Sequence, residues 1–445
     1  MSDLASYIQQ VNRAVLNQDA ITLKECLTIN PARPQGEIRS KFPEPSDFDL
    51  YQTPERFGDV IKNYLKLMKV VYIEKSLQGA FDCFNELVLS LLRAADKHTN
   101  WINVPVLNSC GELMSVYKVK EMNDPEDLAI FEFQDIEMDM NEQMKVKRSG
   151  LETLSITIHK GFTTCLNDKN PDLRNSKRVD VYYFLAILIR IYFKLGKLDL
   201  AKSVQKTLND TRLELPNMRS SISNKKHSIM YLYYSGLMYL DNGEYVKSEI
   251  ELNKAMDILG DYQSKKNKQT QQIMMLLLPL KLYNCGKLPV KSFWLRYPNL
   301  RVMYRDNIFK AIREGNLAKF NECMEKFQTI LLTNHLYVLI EKLRMYCQLS
   351  LVKKTYNIVN EFKPNTYIIA LSAFHLAFEF SQYNKNNETQ FDFANNHSYN
   401  TSLDEIECIL ANLIASKKVR GYISHGNRCI VFAKDGNAFP KLSQS

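Results

Sequence analysis

Three short segments of this 445-residue chain share one grammar: YFKLGKLDLAKSVQ around Gly196, YLDNGEYVKSEIEL around Gly243 and IREGNLAKFNECM around Gly315. In each, an apolar helix-forming run ends near the glycine, an apolar residue follows two positions later, and a second helix-forming run begins. A glycine in that place closes a helix in the left-handed conformation and lets the next helix fold back on the first. Apolar residues elsewhere recur at three- and four-residue spacings with few alternating stretches, so the class is mainly α. Helical hairpins in series stack into a right-handed solenoid of the tetratricopeptide kind, although glycine spacings of 47 and 72 residues make this repeat irregular.

A 45% hydrophobic content is enough for one large core or two to three smaller ones. The most apolar run, VYYFLAILIRIYF from Val181, is too short for a membrane span and carries Arg190, so it reads as a buried helix. The N-terminal MSDLASYIQQVNRAVL has no basic region followed by an apolar stretch and cleavage site, so the expected location is nucleus and cytoplasm. Nine cysteines without a CxxC pair suit a reducing compartment and buried thiols.

The formal charge of +9 is unevenly spread. Residues 121–143 hold nine acidic side chains and no basic one, and the remainder carries 58 basic against 40 acidic residues. The acidic run reads as a solvated loop, with a pseudo-substrate covering a basic surface as the sharper reading. Residues 281–313 carry Lys281, Lys287, Lys291, Arg296, Arg301, Arg305, Lys310 and Arg313 against the single acid Asp306, interleaved with Tyr283, Phe293, Trp294, Tyr297 and Tyr304. That mixture meets the needs of a backbone-tracking, base-stacking nucleic-acid surface. Aromatics packed between helices below a solvated basic face answer the same pattern.

The last sixty residues change character. Ser402 and Glu405 form a capping box, Asp404 and Glu407 add negative charge near the helix N-terminus, and Leu403, Ile406, Ile409, Leu410, Leu413 and Ile414 form one apolar stripe. After Lys417 and Lys418 the period shortens: VRGYISHGNRCIVFAK reads as two strands about a turn at Gly426 and Asn427. A helix beside a two-stranded wing, preceded by further helices, is a winged-helix arrangement. Its strand edge, with Val419, Tyr422, Ile423, Ile430 and Phe432, is the candidate partner-binding site. Lys417, Lys418, Arg420, Arg428 and Lys434 form a second basic cluster, a candidate for phosphate contact.

LDEIECILANLIASKKVRGYISH, together with LLLPLKLYNCGKLP, IFKAIREGNLAKFNECME and LYVLIEKLRMYCQLSLVKKTY, resembles the PCI domain, named for proteasome lid, COP-nine signalosome and initiation factor. Within that family it is most similar to the branch holding signalosome subunit twelve of yeasts and the PCI subunit of the nuclear mRNA-export complex TREX-two. The likeness spans roughly residues 230–440 and is strongest from Leu403 to His425. It implies an N-terminal helical region (1–215) with the acidic loop 121–143, then a PCI domain at 230–440: helical repeats 230–380, an insert 381–400 with six Asn, and a winged helix 401–440. It further implies a non-catalytic scaffold paired with another PCI-domain protein through the winged helix, clasped by a small acidic Sem-type protein, and joined to other signalosome subunits.

Catalysis is disfavoured on independent grounds. None of the seven histidines stands two or four residues from another, which excludes HxH and HExxH zinc motifs. Gly196-Lys197 and Gly286-Lys287 lack the remainder of a phosphate loop. No catalytic residue, metal or cofactor is expected. Two functions stay open: a scaffold subunit of a signalosome-type complex, and an RNA-binding adaptor in transcription-coupled mRNA processing and export.

Overall fold

The computed structural model describes residues 4–32, 34–123, 149–219, 224–260, 268–382, 401–434 and 437–440. Most of the acidic run 121–143 and nearly all of the Asn-rich stretch 381–400 lie outside them. The chain divides into two compact units, Met1–Ser235 and Gly236–Ser445, with the division inside one helix.

The first unit contains α1 (Leu4–Leu16), α2 (Ala20–Leu27), α3 (Gln35–Ser40), α4 (Phe57–Lys69), α5 (Leu77–Ala95), α6 (Asn103–Asn123), α7 (Gly150–Leu166), α8 (Val181–Lys194) and α9 (Leu198–Asn209). α10 (Lys225–Asp241) carries the chain into the second unit. The VYYFLAILIRIYF run is α8: every residue from Val181 to Ile189 is buried, and Arg190 is the first to emerge. Its all-round apolarity belongs to a core helix. Basic side chains are also buried here, and for Arg39, Lys177 and Arg178 main-chain carbonyls feature in the hydrogen bonding. Arg39 Nη1 donates to Cys26 O, one residue before the end of α2, and to Tyr64 Oη; Lys177 Nζ donates to Ala95 O and Asp96 O at the end of α5; Arg178 Nη1 and Nη2 donate to the carbonyls of Glu214 and Asn170. Unsatisfied carbonyls at helix ends are natural seats for a cation.

The second unit continues with α11 (Tyr245–Leu259), α12 (Lys268–Cys285), α13 (Lys291–Arg296), α14 (Pro298–Leu300), α15 (Phe309–Glu314), α16 (Leu317–Lys326), α17 (Gln328–Thr333) and the long α18 (Tyr337–Phe362). A wide-turned π-helical segment, Arg301–Ile308, leads into α15. It is followed by β1 (Ile368–Ala370), α19 (Leu371–Gln382), α20 (Leu403–Ala415), β2 (Gly421–Ser424) and β3 (Cys429–Phe432).

All three hairpin glycines adopt the expected left-handed conformation, with φ of 67° at Gly196, 76° at Gly243 and 65° at Gly315. They join α8 to α9, α10 to α11 and α15 to α16. Gly315 is doubly required, since a Cβ there would lie 2.8 Å from the main-chain nitrogen of Leu351 in α18.

The winged helix ends the second unit. Its antiparallel sheet has the order β1-β3-β2, with Ile369 opposite Ile430 and Ile423 opposite Ile430 on the other side. The capping box forms as the sequence predicts: Ser402 N donates to Glu405 Oε2 at 2.9 Å and Glu405 N to Ser402 Oγ at 3.2 Å. Ile406, Leu410 and Leu413 of α20 pack with Phe374 and Phe378 of α19 and with Ile430 and Phe432 of β3 as fully buried side chains of this small core. Leu403, by contrast, is exposed. β1 has no counterpart in the sequence reading, and the first wing strand begins at Gly421 instead of Val419.

Candidate interaction surface

β2 lies at one edge of the sheet, and among the described residues no strand pairs with its outer side. Main-chain hydrogen bonds fix which residues face outward. Ala433 N donates to Arg420 O at 3.0 Å, and the register places Tyr422 opposite Val431 and Ser424 opposite Cys429. On the far side of β3, Phe432 N donates to Tyr367 O at 2.8 Å. In an antiparallel ladder, alternate residues bond to alternate sides. Tyr422 and Ser424 therefore direct their peptide groups toward β3, Arg420 gives its carbonyl to Ala433 and its N–H to Ala438 O at 2.9 Å, and Gly421 and Ile423 present theirs at the open edge. Gly421 is also held close to its neighbour strand, since a Cβ there would meet Val431 O at 2.3 Å.

The five residues assigned to the wing edge separate into two groups. Tyr422 is 63% exposed on the outer face and Ile423 is half-buried beside the open edge. Val419, Ile430 and Phe432 are buried, at 2%, 0% and 1% exposure, so they support the wing and do not touch a partner. Phe432 in particular is enclosed by the rings of Tyr356, Phe374 and Phe439. The alternation of the sequence revealed two faces without revealing which one α19 and α20 cover.

The basic residues of the wing also divide. Lys417 takes a left-handed φ of 57° just past α20 and is exposed, as are Arg420 and Lys434. Lys418 is turned inward, 3.0 Å from Tyr346 Oη and 4.3 Å from the centre of that ring, and burial lowers its pKa. Arg428 pairs with Asp404 and, at 3.0 Å, with Glu407 of α20, while His425 Nδ1 lies 2.8 Å from Glu407. These last bases fasten the wing turn to the start of α20, and the acids nearby leave Arg428 poorly placed for phosphate. Lys418 and Arg428 are therefore corrected from phosphate contacts to structural residues.

A similar correction applies to the basic segment. Trp294, Tyr297 and Tyr304 are buried, and Tyr304 Oη donates to Met275 O at 2.7 Å. Burial removes these rings from base stacking. Lys287, Lys291 and Arg296 are exposed, Arg301 and Arg305 half-exposed, and Arg301 pairs with Asp306 at 3.2 Å. The exposed apolar side chains among them are aliphatic: Leu288, Val290, Leu295 and Val302.

Among the described residues no group of three His, Cys, Asp or Glu side chains is placed to hold a metal ion, and no helix is long and apolar enough to cross a membrane.

Helical hairpins leading into a three-stranded winged helix define the PCI class, and the PCI domain family model matches residues 324–434. The chain is 49% identical over 443 residues to the protein CSN12 homolog of Debaryomyces hansenii, covering 99% of this chain and 98% of that one. It is 26% identical over 388 residues to Cop9 signalosome complex subunit 12 of Saccharomyces cerevisiae, covering 83% and 82%. It is also 24% identical over 445 residues to PCI domain-containing protein 2 of Xenopus laevis, covering 98% and 97%. This chain belongs to the CSN12-homolog family of PCI-domain proteins.

Proposed function

We propose that the chain is a non-catalytic scaffold subunit of a signalosome-type complex, the kind of assembly that regulates cullin deneddylation and ubiquitin conjugation, in nucleus and cytoplasm. It pairs with another PCI-domain protein through the β2 edge, is clasped by a small acidic Sem-type protein and contacts other signalosome subunits. One observation carries the reading: a winged helix whose edge strand offers outward peptide groups at Gly421 and Ile423, in a chain that matches CSN12 homologs along nearly its whole length. Unpaired edges are templates for strand addition.

The test is affinity purification of the tagged chain with identification of its companions, beside the Ile423→Pro variant. Because the Ile423 amide faces outward, proline removes a docking donor and no ladder bond. The expected result is signalosome subunits with the natural chain and loss of the PCI companion with the variant. Full co-purification with the variant would move the interface elsewhere.

Charge supports a second reading, an RNA-binding adaptor of a TREX-two-like nuclear complex. Lys287, Lys291, Arg296, Lys417, Arg420 and Lys434 are exposed bases suited to phosphate, with Tyr422 the exposed ring beside the wing bases. A salt titration of RNA binding with and without the partner separates the two readings: a steep slope favours the adaptor and a flat one the scaffold.

A further inference from the structure

The two ends of β2 differ in charge. At its start stand Lys417, Arg420 and Lys434, and neither Lys417 nor Lys434 has an acidic partner among the described residues. At the turn end stand Asp404, Glu405 and Glu407 of α20, with Arg428 as the fixed positive charge. One end of the strand is thus basic and the other carries an excess of carboxylates. A strand that pairs antiparallel with this edge needs the reverse arrangement.

A second copy of β2 has that arrangement. We infer that the free chain self-associates through β2, edge to edge about a two-fold axis at Tyr422. The inference rests on the reading of β2 as an interaction edge. With Tyr422 opposite its counterpart, Gly421 of one copy faces Ile423 of the other, and these are the two residues whose peptide groups point outward. About four main-chain hydrogen bonds then close the joint, and the Tyr422 residues fall on a non-hydrogen-bonded pair, where side chains approach most closely. Their exposed rings sit on the same face and meet across the axis. Arg420 falls opposite Ser424 of the second copy, and Lys417 falls near the carboxylates of its α20.

The contact is small, below the roughly 1,000 Å² of a stable interface, so its Kd should lie on the order of 10 to 100 µM. Such a dimer covers an edge that would otherwise collect arbitrary strands, and a heterologous PCI partner of nanomolar affinity would displace it.

The experiment is sedimentation velocity of the full chain from about 1 to about 100 µM, a range that brackets the expected Kd. Its variants are Tyr422→Glu and Ile423→Pro. Tyr422 is exposed, so Tyr422→Glu leaves the fold intact and sets two carboxylates against each other at the axis. Expected is a monomer–dimer equilibrium in the natural chain, weaker at high salt, with Kd raised at least about tenfold in either variant. A monomer at every concentration, or a dimer that persists unchanged in Tyr422→Glu, overturns the inference. Co-purification with the PCI companion distinguishes the two readings: if it still depends on Ile423 while the chain alone stays monomeric, self-pairing fails and the edge reading stands.

Discussion

Replacing Gly315 by alanine should cost the second unit far more stability than the same change at Gly243. Both glycines turn a helical hairpin with positive φ, 65° and 76° respectively, and an L side chain in that region costs about 1–2 kcal/mol. Alanine returns roughly 0.4–1 kcal/mol by restricting the unfolded chain, which leaves a net loss of about 1 kcal/mol at Gly243, where a Cβ meets nothing within 4 Å. At Gly315 the added carbon would lie 2.8 Å from Leu351 N and 2.9 Å from its Cα. Those atoms belong to the middle of α18 and cannot swing aside as a side chain would. Overpacking against them adds about 1–3 kcal/mol, for a total of about 2–4 kcal/mol. For a unit of about 200 residues this corresponds to a drop in Tm of roughly 4–16 °C, against about 2–4 °C for Gly243→Ala. Far-UV circular dichroism melting measures the shifts, and hydrogen exchange in α18 locates the loss. Equal shifts for the two variants would refute the claim that α15 and α16 are pressed onto α18 through Gly315.

Three further outcomes are expected. Arg39→Met in the first unit strips the Tyr64 hydroxyl of its buried donor and leaves the carbonyl of Cys26 with Tyr7 Oη alone of its two buried donors, and urea unfolding should show a loss of about 2–4 kcal/mol. His227 is held by burial at a pKa of about 4, below the ordinary 6.5, and its Nδ1 has no hydrogen-bond partner. The unfolded chain therefore binds its proton first, and this residue's contribution is complete above pH 6.5 and lost as pH falls toward 4, by about 1–2 kcal/mol after discounting for partial exposure. Asp180, pushed up by its own burial, acts in the opposite sense, so the effect is read as the difference between the natural chain and His227→Phe across that window. In the wing, Lys417→Glu with Lys434→Glu should weaken any RNA binding and lower its salt slope by about one unit per lost phosphate contact, with melting unchanged. Lys418→Glu or Arg428→Glu should lower the melting temperature instead, because the first removes a contact between the winged helix and Tyr346 of α18 and the second a contact between the wing turn and α20.

What was legible in the sequence was local. The left-handed glycines at 196, 243 and 315 and the Ser402–Glu405 box are decided within one helical turn, so residue identity alone places them. The buried character of α8 followed from its unbroken apolar run, interrupted only where Arg190 meets solvent. What stayed hidden depends on distant partners. β1 is three residues long and exists through its pairing with β3, sixty positions away, so Ile368–Ala370 gives no periodic signal of its own. Lys417 and Lys418 are adjacent and chemically alike, yet one reaches solvent and the other Tyr346, seventy-two positions upstream. Trp294 and Tyr304 have the composition of a stacking platform, and only the packing of α13 and the π-helical segment turns them inward.

The most direct test of the central claim is residue-resolved amide hydrogen exchange of the chain, dilute and alone, and again in complex with its co-purified PCI companion. In the free chain the amides of Tyr422 and Ser424, which face β3, should exchange slowly, and those of Gly421 and Ile423 fast. On binding, Gly421 and Ile423 should become protected while Tyr422 and Ser424 change little. If the companion binds and Gly421 and Ile423 continue to exchange as they do in the free chain, the edge of β2 is not where this protein joins its complex.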